Sequence, residues 1–543
     1  MDQKLTTQTL WQDFDPQAEA LDVNVARVTG EEIVTKNIYF TGRTLQDGCK
    51  SRVYATVCYK STKSVKPAVL FIGDYHKPIQ VDVLQHLASQ GFVAMSIDYA
   101  GRAPGKACTL YSPQLDYCNA DVAKSMFVIE TNAKETKMYE YALNSMRAIT
   151  YLFEKENVKN VSVFTNGSGA NVGLMVLGED KRLFRGVVAF GNLHKDFPSD
   201  EDEQLNLDSM EGLEKHLAFK EKEQQWNQGL APQTYVQKIE IPVYVVGAAT
   251  SNHVDIIKLS EMSFRLGEGS RLLLLPTVID YVPSSNVVDV VKWLKGAEVT
   301  DDTEITSFTE DGNYYLRVRT STSLRKTQLW YTTQVQSLAK HWVRADLVKS
   351  DDGYVAKLDL YTKQSEILAF ATLDEAVNYS TPIFKDNATV SVAKIPNNVL
   401  FVGNVDQPLI PINTGDKWWN LDLQPQLASG YLDIVGSKGC AFGTFALADS
   451  STQSSLSLTI SFDVCCDIRQ QVCVTLVSNF GKESQQYRQT AELVGDGKWQ
   501  RVTLEGKNFR RIGDGRQISE EERVEMMIVH AEGEFIINNI YLV

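Results

Sequence analysis

Between Lys66 and Lys295 short apolar runs alternate with amphipathic stretches, and this alternation limits the fold more than any other feature of the chain. The runs PAVLFIG (67–73), FVAMSID (92–98), VSVF (161–164), GVVAF (186–190), IPVYVVG (241–247) and RLLLLP (271–276) have strand length. Between them, VDVLQHLASQ (81–90), EYALNSMRAITYLFEKE (140–156) and VVDVVKWLKG (287–296) repeat apolar residues at helical spacing. Strands that are apolar throughout have no face to turn to water, so they belong in a parallel sheet covered by helices on both sides. Upstream, KNIYFTG and RVYATVCYK read as edge strands leading into that sheet.

After about Thr300 the rhythm changes. YYLRVRTS, QLWYTT, WVRADLVK, YVAKLDLYT and EILAFATL alternate polar and apolar residues, with polar breaks every eight to twelve positions, the pattern of a small antiparallel sandwich. From about 395 a second set follows: LSLTISFDV, QVCVTLVSN, KWQRVTLEG, RVEMMIVHA and EFIINNIYLV, with ISEEERVE the only helical-looking piece. At roughly 150 residues per domain, 543 residues allow three to four domains. The expected layout is multidomain: an α/β domain over 1–299, then two all-β domains, an Ig- or fibronectin-III-like sandwich at 300–394 and a jelly roll at 395–543.

Charge and cysteine content exclude several functions. The formal charge of −14 repels polyphosphates and anionic lipid surfaces, so nucleic acid and membrane are not expected partners. No run is long and apolar enough to span a bilayer, and MDQKLTTQTLWQDFDPQAEA lacks a secretory leader's basic-then-apolar pattern. Eight cysteines, none in a CxxC pair, are too few for a disulfide framework and read as reduced, mostly buried thiols. No histidine stands at zinc-ligand spacing from them, and no carboxylate-rich loop asks for calcium, so neither metal nor cofactor is expected. These features suit a cytoplasmic protein, or an extracellular one whose leader has been trimmed.

The order KPAVLFIGDYHKP, GFVAMSIDYAGR, NVSVFTNGSGANVGLMVL, IPVYVVG and LLLLP…VVKWLKG resembles the α/β-hydrolase superfamily over about 35–296. The nearest flavour is its acetyl-xylan esterase and dienelactone hydrolase-like branch. The resemblance implies a strand-turn-helix elbow, G-x-S-x-G, that lifts a serine hydroxyl over the sheet edge, where a histidine takes its proton. Aligning strand end and helix start puts Thr165, Asn166, Gly167, Ser168 and Gly169 on the five elbow positions. The nucleophile position is then Gly167, which has no nucleophilic atom. A register one residue on makes Ser168 the nucleophile, flanked by Asn166 and Ala170. The acid position after IPVYVVG matches Thr250, and the histidine position after the last strand matches Asp280. No histidine occurs between His253 and His341, so a loop slip there cannot recover one.

Three unsuitable residues at three triad positions imply a degenerate site, and no catalytic residue is expected. A rescue would pair Ser168 with His194 or His253, with Asp255 or Asp280 orienting the imidazole. The turn Asp74-Tyr75-His76 lies where the family supplies oxyanion N–H groups. Loops at the strand ends would gather Tyr75, His76, Asp98, Arg102, Asn166, Ser168, Asn192 and Tyr281, with Tyr99, into a pocket for a polar small molecule such as a sugar. The charged stretch 196–228 falls where this superfamily inserts a lid. GKWQRVTLEGKNF (497–509) and FIINNIYLV (535–543) resemble jelly-roll carbohydrate-binding modules, with Trp418, Trp419, Tyr431 and Trp499 as weak candidates for sugar stacking.

Three functions follow. The first is an inactive hydrolase homologue that binds a carbohydrate or a protein. The second is a serine esterase or deacetylase acting on acylated carbohydrate through Ser168 and a relocated histidine. The third is a structural platform without a ligand.

Overall fold

The computed structural model describes all residues except 1–4, 46–47, 63, 76, 100–106, 112–128, 130–131, 198–209, 252–253, 277–283, 300–302, 405–407, 413–424, 450–458, 482–483 and 520–521. It has two compact units interleaved in sequence. One holds Met1–Val246, Lys258–Arg271 and Val290–Glu298; the other holds Gly247–Ile257, Leu272–Asp289 and Val299–Val543.

The first unit is the α/β part. Its strands are β1 (Asn24–Thr29), β2 (Ile33–Thr44), β3 (Lys50–Lys60), β4 (Lys66–Ile72), β5 (Val93–Ile97), β6 (Val158–Asn166), β7 (Leu183–Ala189) and β8 (Val243–Ala248, through Val246). They are ordered β1-β2-β3-β5-β4-β6-β7-β8. The first three are antiparallel, as is β3 with β5; from β5 through β8 all pairings are parallel. β5 and the last six residues of β6 are buried at every position, as a sheet covered on both faces requires. Helices α1 (Val81–Ser89), α2 (Lys137–Lys155) and α3 (Gly169–Glu179) fill the parallel crossovers. Thr136 caps α2 by accepting from Tyr139 N–H, which starts the helix three residues before the apolar pattern begins. The charged stretch proposed as a lid contains a helix, Met210–Gln225.

The connections leaving the neighbouring strands β4 and β6 run in opposite directions, from β4 to β5 on one side and from β6 to β7 on the other. Such a reversal opens a crevice at the carboxyl ends of the two flanking strands, where open α/β sheets bind ligands. The segments Gly73–Tyr75 and Gly167–Gly169 border it.

The second unit is β-rich. β9 (Arg271–Leu275, from Leu272) pairs antiparallel with a later strand through Leu272 and Ser380. β10 (Glu304–Glu310), β11 (Asn313–Arg319), β14 (Val348–Ser350) and β15 (Gly353–Lys357) form one sheet, ordered β10-β11-β15-β14; β12 (Thr327–Thr332), β13 (Val343–Ala345), β16 (Gln364–Asp374), β17 (Asn378–Ser380) and β18 (Phe384–Thr389) join β9 in another. Leu316 and Val318 from the first sheet and Leu329, Ile367 and Ala369 from the second share one apolar core, so the two sheets pack face to face. The rest of the unit is a ten-stranded antiparallel sheet around the 19-residue strand Val524–Leu542. The first half of that strand pairs with Gln470–Ser478 and the second with Thr459–Cys465. ISEEERVE is not helical in its described part: Val524 and Glu525 open this strand.

Of the seven described cysteines, all free thiols, only Cys58, Cys465 and Cys466 are buried, fewer than expected, because several lie on half-exposed strands. No helix among the described residues is long and apolar enough to cross a membrane.

Candidate functional site

Asn166 ends β6 and Gly169 begins α3, so the chain turns from strand to helix in the space of Gly167 and Ser168. Gly167 has φ +54°, the left-handed conformation, while Ser168 is right-handed helical at φ −64°, ψ −21°. The left-handed position of this turn is therefore held by the glycine, which adopts it without strain. Only small residues fit around it. A Cβ at Gly169 would lie 2.3 Å from the Gly73 carbonyl oxygen, and one at Gly191 would lie 2.1 Å from the Ala170 Cβ. At Gly167 a Cβ would meet nothing nearer than the Asp74 Oδ2 at 3.9 Å. The apex is thus glycine without steric crowding, and its side-chain direction faces a carboxylate.

Ser168 has an oxygen but a different environment from an activated nucleophile. Its hydroxyl donates to Asp74 Oδ1 and accepts, at 3.4 Å, from the Tyr75 N–H. In an elbow of this kind, a loop N–H beyond the preceding strand belongs to the hole that stabilises the reacting oxyanion. Here that N–H points to the serine's own oxygen. A carboxylate accepts a proton from an alcohol far less readily than an imidazole at neutral pH, because its ordinary pKa lies near 4. Asn171 Nδ2 donates to the Ser168 carbonyl at 3.0 Å. Asn166 is 5% exposed, and its Oδ1 accepts from no described residue.

The sequence candidates separate on the structure. Tyr75, Asn166, Gly167 and Ser168 come together at the crevice. Asp98 instead serves its own loop: its carboxylate accepts from Thr109 N–H at 2.7 Å, and its carbonyl accepts from the Thr109 hydroxyl. Tyr99 is buried, and loss of solvent raises its phenol far above the usual range. Asn192 is half-buried beyond β7. The rescue through His194 is not made, since its Nε2 lies 3.0 Å from Asp196 Oδ1 and neither ring nitrogen bonds to Ser168. Thr250 belongs to the second unit, 1% exposed, and its hydroxyl donates to the Lys340 carbonyl at 2.6 Å. That bond uses the one polar hydrogen of its side chain. Asp255 caps the turn ahead of it by accepting from Ile257 N–H. Tyr431 and Trp499 meet: the indole Nε1 donates to the Tyr431 carbonyl at 2.8 Å, with Gly430 against the ring. His76, Arg102, His253, Asp280, Tyr281, Trp418 and Trp419 lie outside the described residues.

Two features of this unit carry no signal in the sequence. Asp74 was seen only as part of an oxyanion turn, although it is the group that binds Ser168. Lys195, next to His194, is buried enough that desolvation lowers its amine to about 8. Among groups of three or more histidine, cysteine, aspartate or glutamate side chains, the described residues contain none able to hold a metal ion.

No protein-family model and no curated protein matches the chain. Among solved structures, similarity is found to an acetyl xylan esterase from a Paenibacillus species, at 13% identity and TM-score 0.38, covering 53% of this chain and 91% of that one. An acetyl xylan esterase from a Thermoanaerobacterium species shares 14% identity at TM-score 0.34, covering 50% of this chain and 86% of that one. A cold-adapted esterase from an Arctic intertidal metagenomic library shares 15% identity at TM-score 0.34, covering 50% of this chain and 98% of that one.

Proposed function

We propose that this protein is a hydrolase-fold homologue that has lost acyl transfer and acts by binding a carbohydrate or a protein. The observation that carries the reading is the elbow itself: its left-handed apex is Gly167, and the adjacent Ser168 hydroxyl is held by the Asp74 carboxylate and the Tyr75 N–H. A nucleophile needs an oxygen at the apex and an imidazole beside it; a serine bonded to a carboxylate gives little rate by itself. The crevice supplies polar groups for a ligand instead, including the buried Asn166 amide oxygen. The β-rich unit supports the binding reading, with 300–394 as an Ig-like sandwich and 395–543 as a jelly roll of carbohydrate-binding-module type.

The test is labelling of the full chain with a fluorophosphonate probe, alongside turnover of p-nitrophenyl acetate. The expected result is neither labelling nor turnover above a Ser168→Ala control. Probe attachment at Ser168, with turnover abolished in that control, would favour the second reading, a serine esterase; release of acetate from acetylated xylan would then test its action on acylated carbohydrate. That reading is favoured by the place of the Ser168 hydroxyl, at the N-terminus of α3 beside the Tyr75 N–H.

A further inference from the structure

Within the β-rich unit lies a cavity of about 400 Å³, a size that suits a small ligand or a sugar unit. One wall comes from β12, β13 and the loop between them; the other comes from 397–401, 408–410 and 443–446. The first wall carries Trp330, Tyr331 and Trp342, and Tyr361, after β15, adds a fourth aromatic to the lining. Trp342 is 5% exposed and fixes the cavity floor: its indole N–H donates to the Ala249 carbonyl at 3.0 Å, and its ring meets Phe370 edge-on at 4.8 Å. Tyr361 is only half-buried, so its ring remains available at the cavity.

Charge narrows the ligand class. The lining holds two cations, Lys340 and Arg344, and two carboxylates, Asp346 and Asp359. Lys340 is 8% exposed with its ammonium on the Ser337 carbonyl, and Asp359 is ion-paired with Lys394. The charges balance and are partly committed, so the cavity has no excess to offer a polyanion or a quaternary cation. A polar surface interrupted by aromatic faces fits a neutral polyhydroxylated ligand, whose hydroxyls bond in the sugar plane while its C–H faces stack.

His341 adds an oriented group. Its Nδ1 lies 2.6 Å from Asp449 Oδ2, and its backbone N–H donates to Gln334 Oε1 at 3.1 Å. In the neutral imidazole a carboxylate on Nδ1 holds the proton there and leaves Nε2 as the acceptor. Nε2 bonds to no described residue, so it is placed to accept from a ligand hydroxyl.

We propose that this cavity is a binding site for a neutral saccharide, with Tyr361 as the stacking surface and His341 Nε2 as the acceptor that sets the sugar's orientation. It shares the ligand class of the reading above but does not depend on whether Ser168 is catalytic. The experiment titrates the full chain with xylohexaose, cellohexaose and mannohexaose, following tryptophan fluorescence and calorimetry, in the native protein and in the Tyr361→Ala and Asp346→Ala variants. Both positions are partly or fully exposed, so the fold should survive, and an unchanged melting temperature checks this. The expected result is saturable binding of at least one hexaose, weakened about tenfold by Tyr361→Ala. Binding that both variants leave intact would place the sugar elsewhere and overturn the proposal while leaving the inactive-elbow reading untouched. Absence of binding to all three would overturn it too, whatever the labelling at Ser168 shows.

Discussion

Gly167 and Gly169 stand two residues apart and are glycines for different reasons. Gly167 is needed for its sign of φ, since L-residues pay about 1–2 kcal/mol in the left-handed region; Gly169 is needed because a Cβ would strike the Gly73 carbonyl at 2.3 Å. Urea denaturation should separate them. Gly167→Ala should cost about 1–2 kcal/mol, whereas Gly169→Ala should cost about 3 kcal/mol or more, because backbone on both sides must shift. Equal losses would mean that the turn is held by something other than the contact with β4. The pattern of small residues around the elbow was legible because tight turns restrict residue size wherever they occur. The hydrogen bond from Ser168 to Asp74 was not, because 94 positions separate its partners.

At the scale of the element, the best-read pieces are those with a strong local period. The strands β4 to β9 and the helices between them stand where the apolar runs put them, to within a few residues. ISEEERVE failed because its charge pattern is local, while the strand Val524–Leu542 is secured by pairing with Val435–Thr444, Gln470–Ser478 and Thr459–Cys465. α2 shows a tertiary duty that periodicity does not announce. Arg147, 1% exposed, sends its guanidinium to the carbonyls of Pro16, Glu19, Ala20 and Thr41. Arg147→Met keeps the bulk but strands those acceptors, so the protein should lose about 3 kcal/mol or more. Limited proteolysis should then cut first within residues 12–23; a cleavage pattern like that of the native protein would show that the segment is held by other contacts.

The whole molecule is partitioned differently from its sequence rhythm. The change from mixed to all-β patterning falls near 300, but 247–257 and 272–289 belong to the β-rich unit. The connections are specific: Leu272 pairs with Ser380, Leu274 N–H donates to the Ser380 hydroxyl, Asn378 donates to Asp289, and Trp342 and Lys340 meet the loop after β8. A fragment of residues 300–543 should therefore unfold at a markedly lower temperature than the β-rich unit in the full chain, with red-shifted tryptophan emission as Trp342 loses its cover. A fragment as stable as its counterpart in the full chain would show that these bonds add little. By itself the sequence determined the class of each segment, because period, propensity and residue size act over a few neighbours and are written in consecutive letters. It left two registers for the elbow, and the left-handed φ of Gly167 in the structure is what puts the glycine at the apex. Only the tertiary structure decided what Ser168 touches, where Thr250 spends its hydroxyl, and which residues enclose the cavity around His341, because those contacts join positions tens to hundreds of residues apart and depend on how the sheets bring them into reach.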